Sequence, residues 1–203
     1  IFALVALINA FNMIDGHDGF AAISVLTTIG AMALTDISML ISSRVMLSLL
    51  VATIVFGLFN LGVFGRRKVF LGDSGSTAIG FLLGWLLIVN SQTPHPKLPP
   101  EMVVWCVSLP LLDMARVIYR RLRIQKNVIS GDSSHIHHFL HKLGLSRFES
   151  IAIFSLLNAL LVAIGYTVCS TAPELSSIAF IVVFVTYCFC FSFIERHTRF
   201  RNN

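Results

Sequence analysis

A chain of 203 residues that is 56% hydrophobic and 12% charged, with a mean hydropathy of +0.83, is too apolar for a soluble domain, whose apolar share is about 45–50%. The formal net charge of +5 would suit a nucleic-acid partner if the basic residues formed one stripe. They lie instead in short clusters beside apolar runs, which excludes nucleic acid and points to a membrane lipid surface. The expected fold is all-α, a polytopic integral membrane helix bundle forming one domain over 1–203.

The opening run, Ile1-Phe-Ala-Leu-Val-Ala-Leu-Ile8, follows neither an initiator Met nor a basic region. It reads as the interior of a transmembrane helix rather than a signal peptide, and the chain as the C-terminal part of a longer protein. A crossing takes about 20 apolar residues, and seven spans are predicted: Ile1–Met13, Phe20–Thr35, Val45–Phe64, Thr77–Asn90, Met102–Tyr119, Ile151–Cys169 and Ile178–Ile194. Strict alternation puts the Asp15–Gly19 turn, the connections 65–76 and 120–150 and the tail 195–203 on one side. That side carries Arg66, Arg67 and Lys68, then Arg120, Arg121, Arg123, Lys126, Lys142 and Arg147, then Arg196, Arg199 and Arg201, against Arg44 and Lys97 opposite. The excess marks it as cytoplasmic. Ser91–Glu101, with Pro94, Pro96, Pro99 and Pro100, reads as a stiff outer connector, and the four cysteines, lacking C-x-x-C spacing, as packing residues.

Four polar islands lie on the basic side. In Asn12-Met-Ile-Asp15-Gly16-His17-Asp18-Gly19, the two carboxylates share a face if the turn is helical. They can bind a divalent cation or a nucleotide, and Gly16 allows close backbone approach; an Asx-Gly turn capping the next helix is the alternative. Arg66-Arg-Lys68 reads chiefly as a positive-inside anchor. Phe70-Leu-Gly-Asp73-Ser-Gly75 runs into an apolar helix whose first amides, with Ser74 and Ser76, suit a phosphate, leaving Asp73 to hold Mg²⁺; a plain N-cap competes. In the connection 120–150, His135-Ile-His137-His138, with His141 beyond, suggests zinc or, by a better fit to its acid-poor surroundings, contacts to diphosphate oxygens. Asp113 reads as a structural ion pair with Arg116, and Asn60 as an interhelical hydrogen-bonding residue.

Taken in order, Asn9 to Gly19, Asn60-Leu-Gly62, Gly65-Arg-Arg67, Val69 to Thr77, Pro110-Leu-Leu-Asp113, Tyr119-Arg-Arg-Leu122 and His135-Ile-His-His138 resemble the polyprenyl-phosphate N-acetylhexosamine-1-phosphate transferase family. Within it, the His-Ile-His-His string is similar to the undecaprenyl-phosphate GlcNAc-1-phosphate transferases. The resemblance implies a bacterial inner-membrane enzyme with cytoplasmic catalytic loops that uses Mg²⁺, or Mn²⁺ in its place. Its partners would be a UDP-N-acetylhexosamine and undecaprenyl phosphate, and a homodimer is compatible with it. By that likeness Asp15, Asp18, Asp73, His137 and His138 are catalytic, Asp73 is the metal ligand, and Asn12, Gly16, Phe70 and His135 bind substrate. The family's earlier aspartate-rich motif is absent from these residues, His17 stands at a usually aliphatic position, and Ser133 replaces a frequent Arg. A different UDP-sugar donor, a proton or ion transporter and an intramembrane zinc hydrolase are the competing functions.

Overall fold

The computed structural model describes residues 1–15, 19–65, 68–123, 136, 140 and 143–201, the last seven by backbone alone. Its elements are α1 (Phe2–Ile14), α2 (Phe20–Thr35), a short α3 (Ser38–Ser42), α4 (Arg44–Asn60), α5 (Gly72–Ser91), α6 (Val103–Cys106), α7 (Ser108–Arg123), α8 (Arg147–Thr171) and α9 (Ser176–Arg201), with 3₁₀ turns at Pro100–Met102 and Pro173–Leu175. No strand occurs among the described residues, so the expected all-α class is observed. Exposed apolar side chains such as Val182, Val185, Phe189 and Phe193 on α9 give the bundle the lipid-facing exterior of a membrane protein.

Helix length separates the segments. Gly72–Ser91, Arg147–Thr171 and Pro173–Ile194 are long and apolar enough to cross a bilayer, and the bent pair Pro100–Cys106 with Ser108–Arg123 makes a fourth candidate. Phe2–Ile14, Phe20–Thr35 and Arg44–Asn60 are apolar but shorter. The structure therefore gives three to four candidate crossings by length, where hydropathy alone predicts seven.

The predicted span Met102–Tyr119 is not one helix. It breaks at Val107, and its halves diverge by 71°. Pro110 explains the break, because it has no N–H to donate to the Cys106 carbonyl four residues back. The side-chain hydroxyl of Thr28 supplies that bond instead, at 2.9 Å, so the kink is stabilised from α2. Two other boundaries move. α4 stops at Asn60, ahead of Gly62 at φ 72°, and α5 starts at Gly72, which draws the Asp73 motif into its first turn.

The closest helix pair is α1 with α5, which run antiparallel. Gly80 makes this possible: a Cβ there would stand 2.7 Å from the Ile8 Cα and 3.2 Å from the Leu7 carbonyl. One turn further along, Gly84 makes room for the side chains of Leu4 and Leu7, whereas the contact at Gly80 is with backbone. Backbone packed on backbone fixes the register more tightly than side chains with rotamer freedom do.

A second apolar cluster underlies the basic side. It gathers Ile14, Phe20, Leu109, Leu112, Ile136, Leu140 and Phe154, with Leu71 packed against it. Phe20 and Phe154 stack with ring centroids 4.0 Å apart. The start of α8 is fixed by a reciprocal cap, in which Ser146 N–H donates to Glu149 Oε2 at 2.7 Å and Glu149 N–H donates to Ser146 Oγ at 3.3 Å.

Gly80→Ala is expected to destabilise the protein by about 1–3 kcal/mol, because its methyl meets backbone that cannot rotate away. Gly30→Ala, with nothing within 4 Å of the added carbon, should stay within about 1 kcal/mol of the parent and towards greater stability. Thermal unfolding of both variants in detergent checks the contrast.

Candidate functional site

Three of the four polar motifs contain or adjoin a residue of the apolar cluster. Ile14 precedes Asp15, Phe20 follows Gly19, Leu71 precedes Gly72, and Ile136 stands between His135 and His137. The cluster thus acts as a floor that brings three polar stretches of chain, distant in sequence, to one end of the bundle. Apolar burial supplies the convergence, and the polar neighbours are carried with it.

Hydrogen bonds tie the same stretches together above that floor. Asn60, the last residue of α4, is buried. Its Oδ1 accepts from the Gly19 N–H at 2.6 Å, and its Nδ2 donates to the Val69 carbonyl at 2.8 Å. Only one orientation of the amide meets both partners. Its backbone carbonyl accepts from Arg147 Nη2 at 3.2 Å, so one residue joins the first polar turn, the loop before α5 and the start of α8. Gly19 has φ 86° at the head of α2, a left-handed conformation that a side chain disfavours. Asn60 thus has the interhelical hydrogen-bonding role that the sequence suggests, joining the end of α4 to the head of α2 and the first residue of α8, and it reaches the loop before α5 as well.

Asp15 ends α1 and lies against the start of α5, where Gly72 donates a backbone hydrogen bond to its carboxylate. Burial pushes the Asp15 carboxyl up to about 6; the Gly72 amide opposes that rise, and the negative charge of Asp73 adds to it. The two acids are thus electrostatically coupled, with Asp73 exposed in the first turn of α5. A cation between them would relieve both the repulsion and the desolvation, so the donor set fits a hard divalent ion. No group of three His, Cys, Asp or Glu side chains that could hold a metal occurs among the described residues.

Ser76 is buried, and its hydroxyl donates to Asn12 Oδ1 at 2.8 Å. It faces α1 rather than the phosphate position that the helix start suggests. Phe70, 60% exposed just before α5, offers a free aromatic face. Asp113 pairs with Arg116 at 3.0 Å as the spacing predicts, and its Oδ1 also accepts from the Ile136 N–H at 3.0 Å. Gly16, His17, Asp18, Arg66, Arg67, Ser133, His135, His137, His138 and His141 lie outside the described residues.

An apolar cavity of about 650 Å³ opens between α1, α5, α7 and α9; Leu4, Leu7 and Leu87 line it from the halves of α1 and α5 away from the two acids, with Leu111, Ile118 and Phe184. Tyr119 and Leu122 also line it, next in sequence to the basic residues Arg120, Arg121 and Arg123 that end α7. An oily groove with cations at its end suits a long hydrocarbon chain bearing an anionic head.

An all-helical bundle with long apolar helices and an apolar exterior defines a membrane protein. Residues 1–91 match the model of glycosyl transferase family 4. The chain is 37% identical to the undecaprenyl-phosphate alpha-N-acetylglucosaminyl 1-phosphate transferase of Yersinia pestis over 98% of its length and 56% of that relative's. It is 34% identical to the protein of the same name from Escherichia coli K12 over the same shares, and 35% identical to that of Pasteurella multocida over 58% of this chain and 34% of the relative. The chain belongs to glycosyl transferase family 4. It spans about half the length of the first two of these relatives.

Asn60→Ala leaves the buried Gly19 N–H without its acceptor, at about 1–3 kcal/mol, and removes the donor to the carbonyl of exposed Val69. The expected result is a lowered unfolding temperature with faster hydrogen exchange at Gly19. Asn90→Ala, which removes only a bond to its own helix at Leu86, should change neither by a comparable amount.

Proposed function

We propose that the protein transfers N-acetylglucosamine 1-phosphate from UDP-N-acetylglucosamine to undecaprenyl phosphate. The product is the lipid-diphosphate sugar that starts O-antigen or other cell-envelope polysaccharide. A phosphate oxygen of the lipid attacks the β-phosphorus of the nucleotide sugar, a new P–O bond forms, and the bond to the bridging oxygen breaks to release UMP. The observation that carries this reading is the meeting of Asp15, at the end of α1, with the Gly72 amide next to Asp73 at the start of α5, beside the apolar floor that also holds Ile136 of the histidine motif. The names of the relatives support the acceptor and the transferred group.

In this reading Asp73 holds Mg²⁺, with Mn²⁺ able to replace it, and the ion when bound neutralises charge on the phosphoryl oxygens. Asp15 and Asp18 serve the metal and nucleotide-sugar region, with Asn12 and Gly16 beside them. Phe70 stacks on uracil through its exposed face. His135, His137 and His138 donate to the diphosphate. The apolar cavity takes the isoprenoid tail, as its lining of aliphatic and aromatic side chains suits.

The reading also takes the three shorter apolar helices as crossings, giving seven spans in a single domain over 1–203, with this end of the bundle in the cytoplasm of a bacterial inner membrane. Helices of 13, 16 and 17 residues rise roughly 20–26 Å at about 1.5 Å per residue, which local thinning of the bilayer can accommodate. A membrane transporter would place its ionisable groups near the midplane, whereas here they crowd helix ends.

Asp73→Asn in the full-length enzyme is expected to abolish UMP release from UDP-N-acetylglucosamine while the protein still folds in membranes. His95→Ala, at the far end of α5, should stay within about twofold of the parent, since 20 residues of helix span about 30 Å. Turnover retained by Asp73→Asn, or lipid-linked product from another UDP-sugar alone, would overturn the reading. Single cysteines introduced at the exposed positions Gly72 and Leu143 should react with a membrane-impermeant thiol reagent only from the cytoplasmic face; labelling from opposite faces would break the shared site.

A further inference from the structure

The Asp113 carboxylate is 1% exposed, and an i,i+3 partner on its own helix would satisfy a purely local role. Its second bond, from the Ile136 N–H at 3.0 Å, instead crosses 23 residues into the middle of the histidine motif. Ile136 is held twice, by its amide on Asp113 and by its side chain, 1% exposed, among Ile14, Phe20 and Leu112. Arg116, 4% exposed, lies with its guanidinium carbon 4.5 Å from the Phe191 ring centroid, so α9 steadies the cation that steadies the carboxylate. A charged acceptor makes a stronger bond to an amide than a neutral one, and the arginine offsets the cost of burying that charge.

We infer that Asp113 is a positioning residue for the histidine motif, acting through the Ile136 amide, with Arg116 holding the carboxylate in place. The inference rests on the proposed role of the histidines in binding a diphosphate. Successive Cα atoms are about 3.8 Å apart, so fixing residue 136 restricts the backbone of His135 and His137 to a single peptide's reach. A loop so restrained presents its side chains without the entropy that substrate would otherwise have to remove.

Two paired variants of the full-length enzyme separate this role from that of a structural ion pair. Asp113→Leu with Arg116→Leu removes the charges and the acceptor together, an exchange that buried ion pairs often tolerate. Asp113→Asn with Arg116→Gln removes the charges but keeps an oxygen for the Ile136 amide. The expected result is a loss of kcat on the order of 100-fold in the leucine pair, with faster modification of His135, His137 and His138 by diethyl pyrocarbonate. The amide pair should stay within about tenfold of the parent, with its histidine reactivity unchanged. Equal turnover and equal histidine reactivity in the two pairs would overturn the inference. Hydrogen exchange in the unmodified protein decides the matter if the leucine pair does not fold: a protected Ile136 amide supports the anchor, and an unprotected one refutes it. Histidine reactivity and amide exchange do not require turnover, so they test the anchor even if the proposed transfer reaction fails.

Discussion

The constraint on which the polar end of the protein depends is the side-chain amide of Asn60. It sits where a helix leaves the apolar layer, and it answers one loop's N–H and another loop's carbonyl at 2.6 and 2.8 Å. Asparagine suits this place because it carries a donor and an acceptor on one rigid group without net charge. A carboxylate would set negative charge against the Val69 carbonyl, and an aliphatic residue would leave both loops unsatisfied in a low-dielectric setting. Because Arg147 bonds to the backbone of the same residue, any movement of α4 is transmitted to α8 as well.

The site above this brace is divided by polarity. Its floor is apolar, and Asp15, Gly19 and Gly72 stand next in the chain to the floor residues Ile14, Phe20 and Leu71. Such a division keeps water from the lower side of Asp15, which explains why burial outweighs the Gly72 amide in setting its protonation. It also amplifies the influence of Asp73, since charges interact more strongly beside a low-dielectric wall. Exposed Asp73 and half-buried Asp15 are thus unequal members of one pair, the first facing the aqueous side and the second facing α5.

Hydropathy located most of the helices, and the order of the polar motifs identified the family. The all-α class and the Asp113–Arg116 pair were legible because each depends on residue type and short spacing, whereas the placing of Asp15 and Asp73 at one end followed from the alternation of apolar runs and the bias of basic residues. The break at Val107 was not, although Pro110 announces it: averaging over a crossing's length conceals the loss of one hydrogen bond. The reciprocal cap of Ser146 and Glu149 was also written locally, in a Ser-x-x-Glu string. Asn60 and the Ile136 amide are a different case. Their partners lie 41 and 23 residues away, and no local pattern specifies a contact at such separations. Ser76 shows the same limit, since a serine in the first turn of a helix looks identical whether it faces a ligand or, as here, Asn12.

The contact between α1 and α5 sets more than helix packing. Ile8 precedes Asp15 by seven residues, and Gly80 follows Asp73 by seven, so two equal arms of about 10 Å run from one fulcrum to the two acids. Substitutions along either arm leave their lengths alone. A single inserted residue would lengthen one arm and swing its carboxylate about 100° around the helix axis, parting the pair while leaving the bundle intact. Over these two stretches, chain length is a functional quantity in its own right, separate from the chemistry of the residues that fill it.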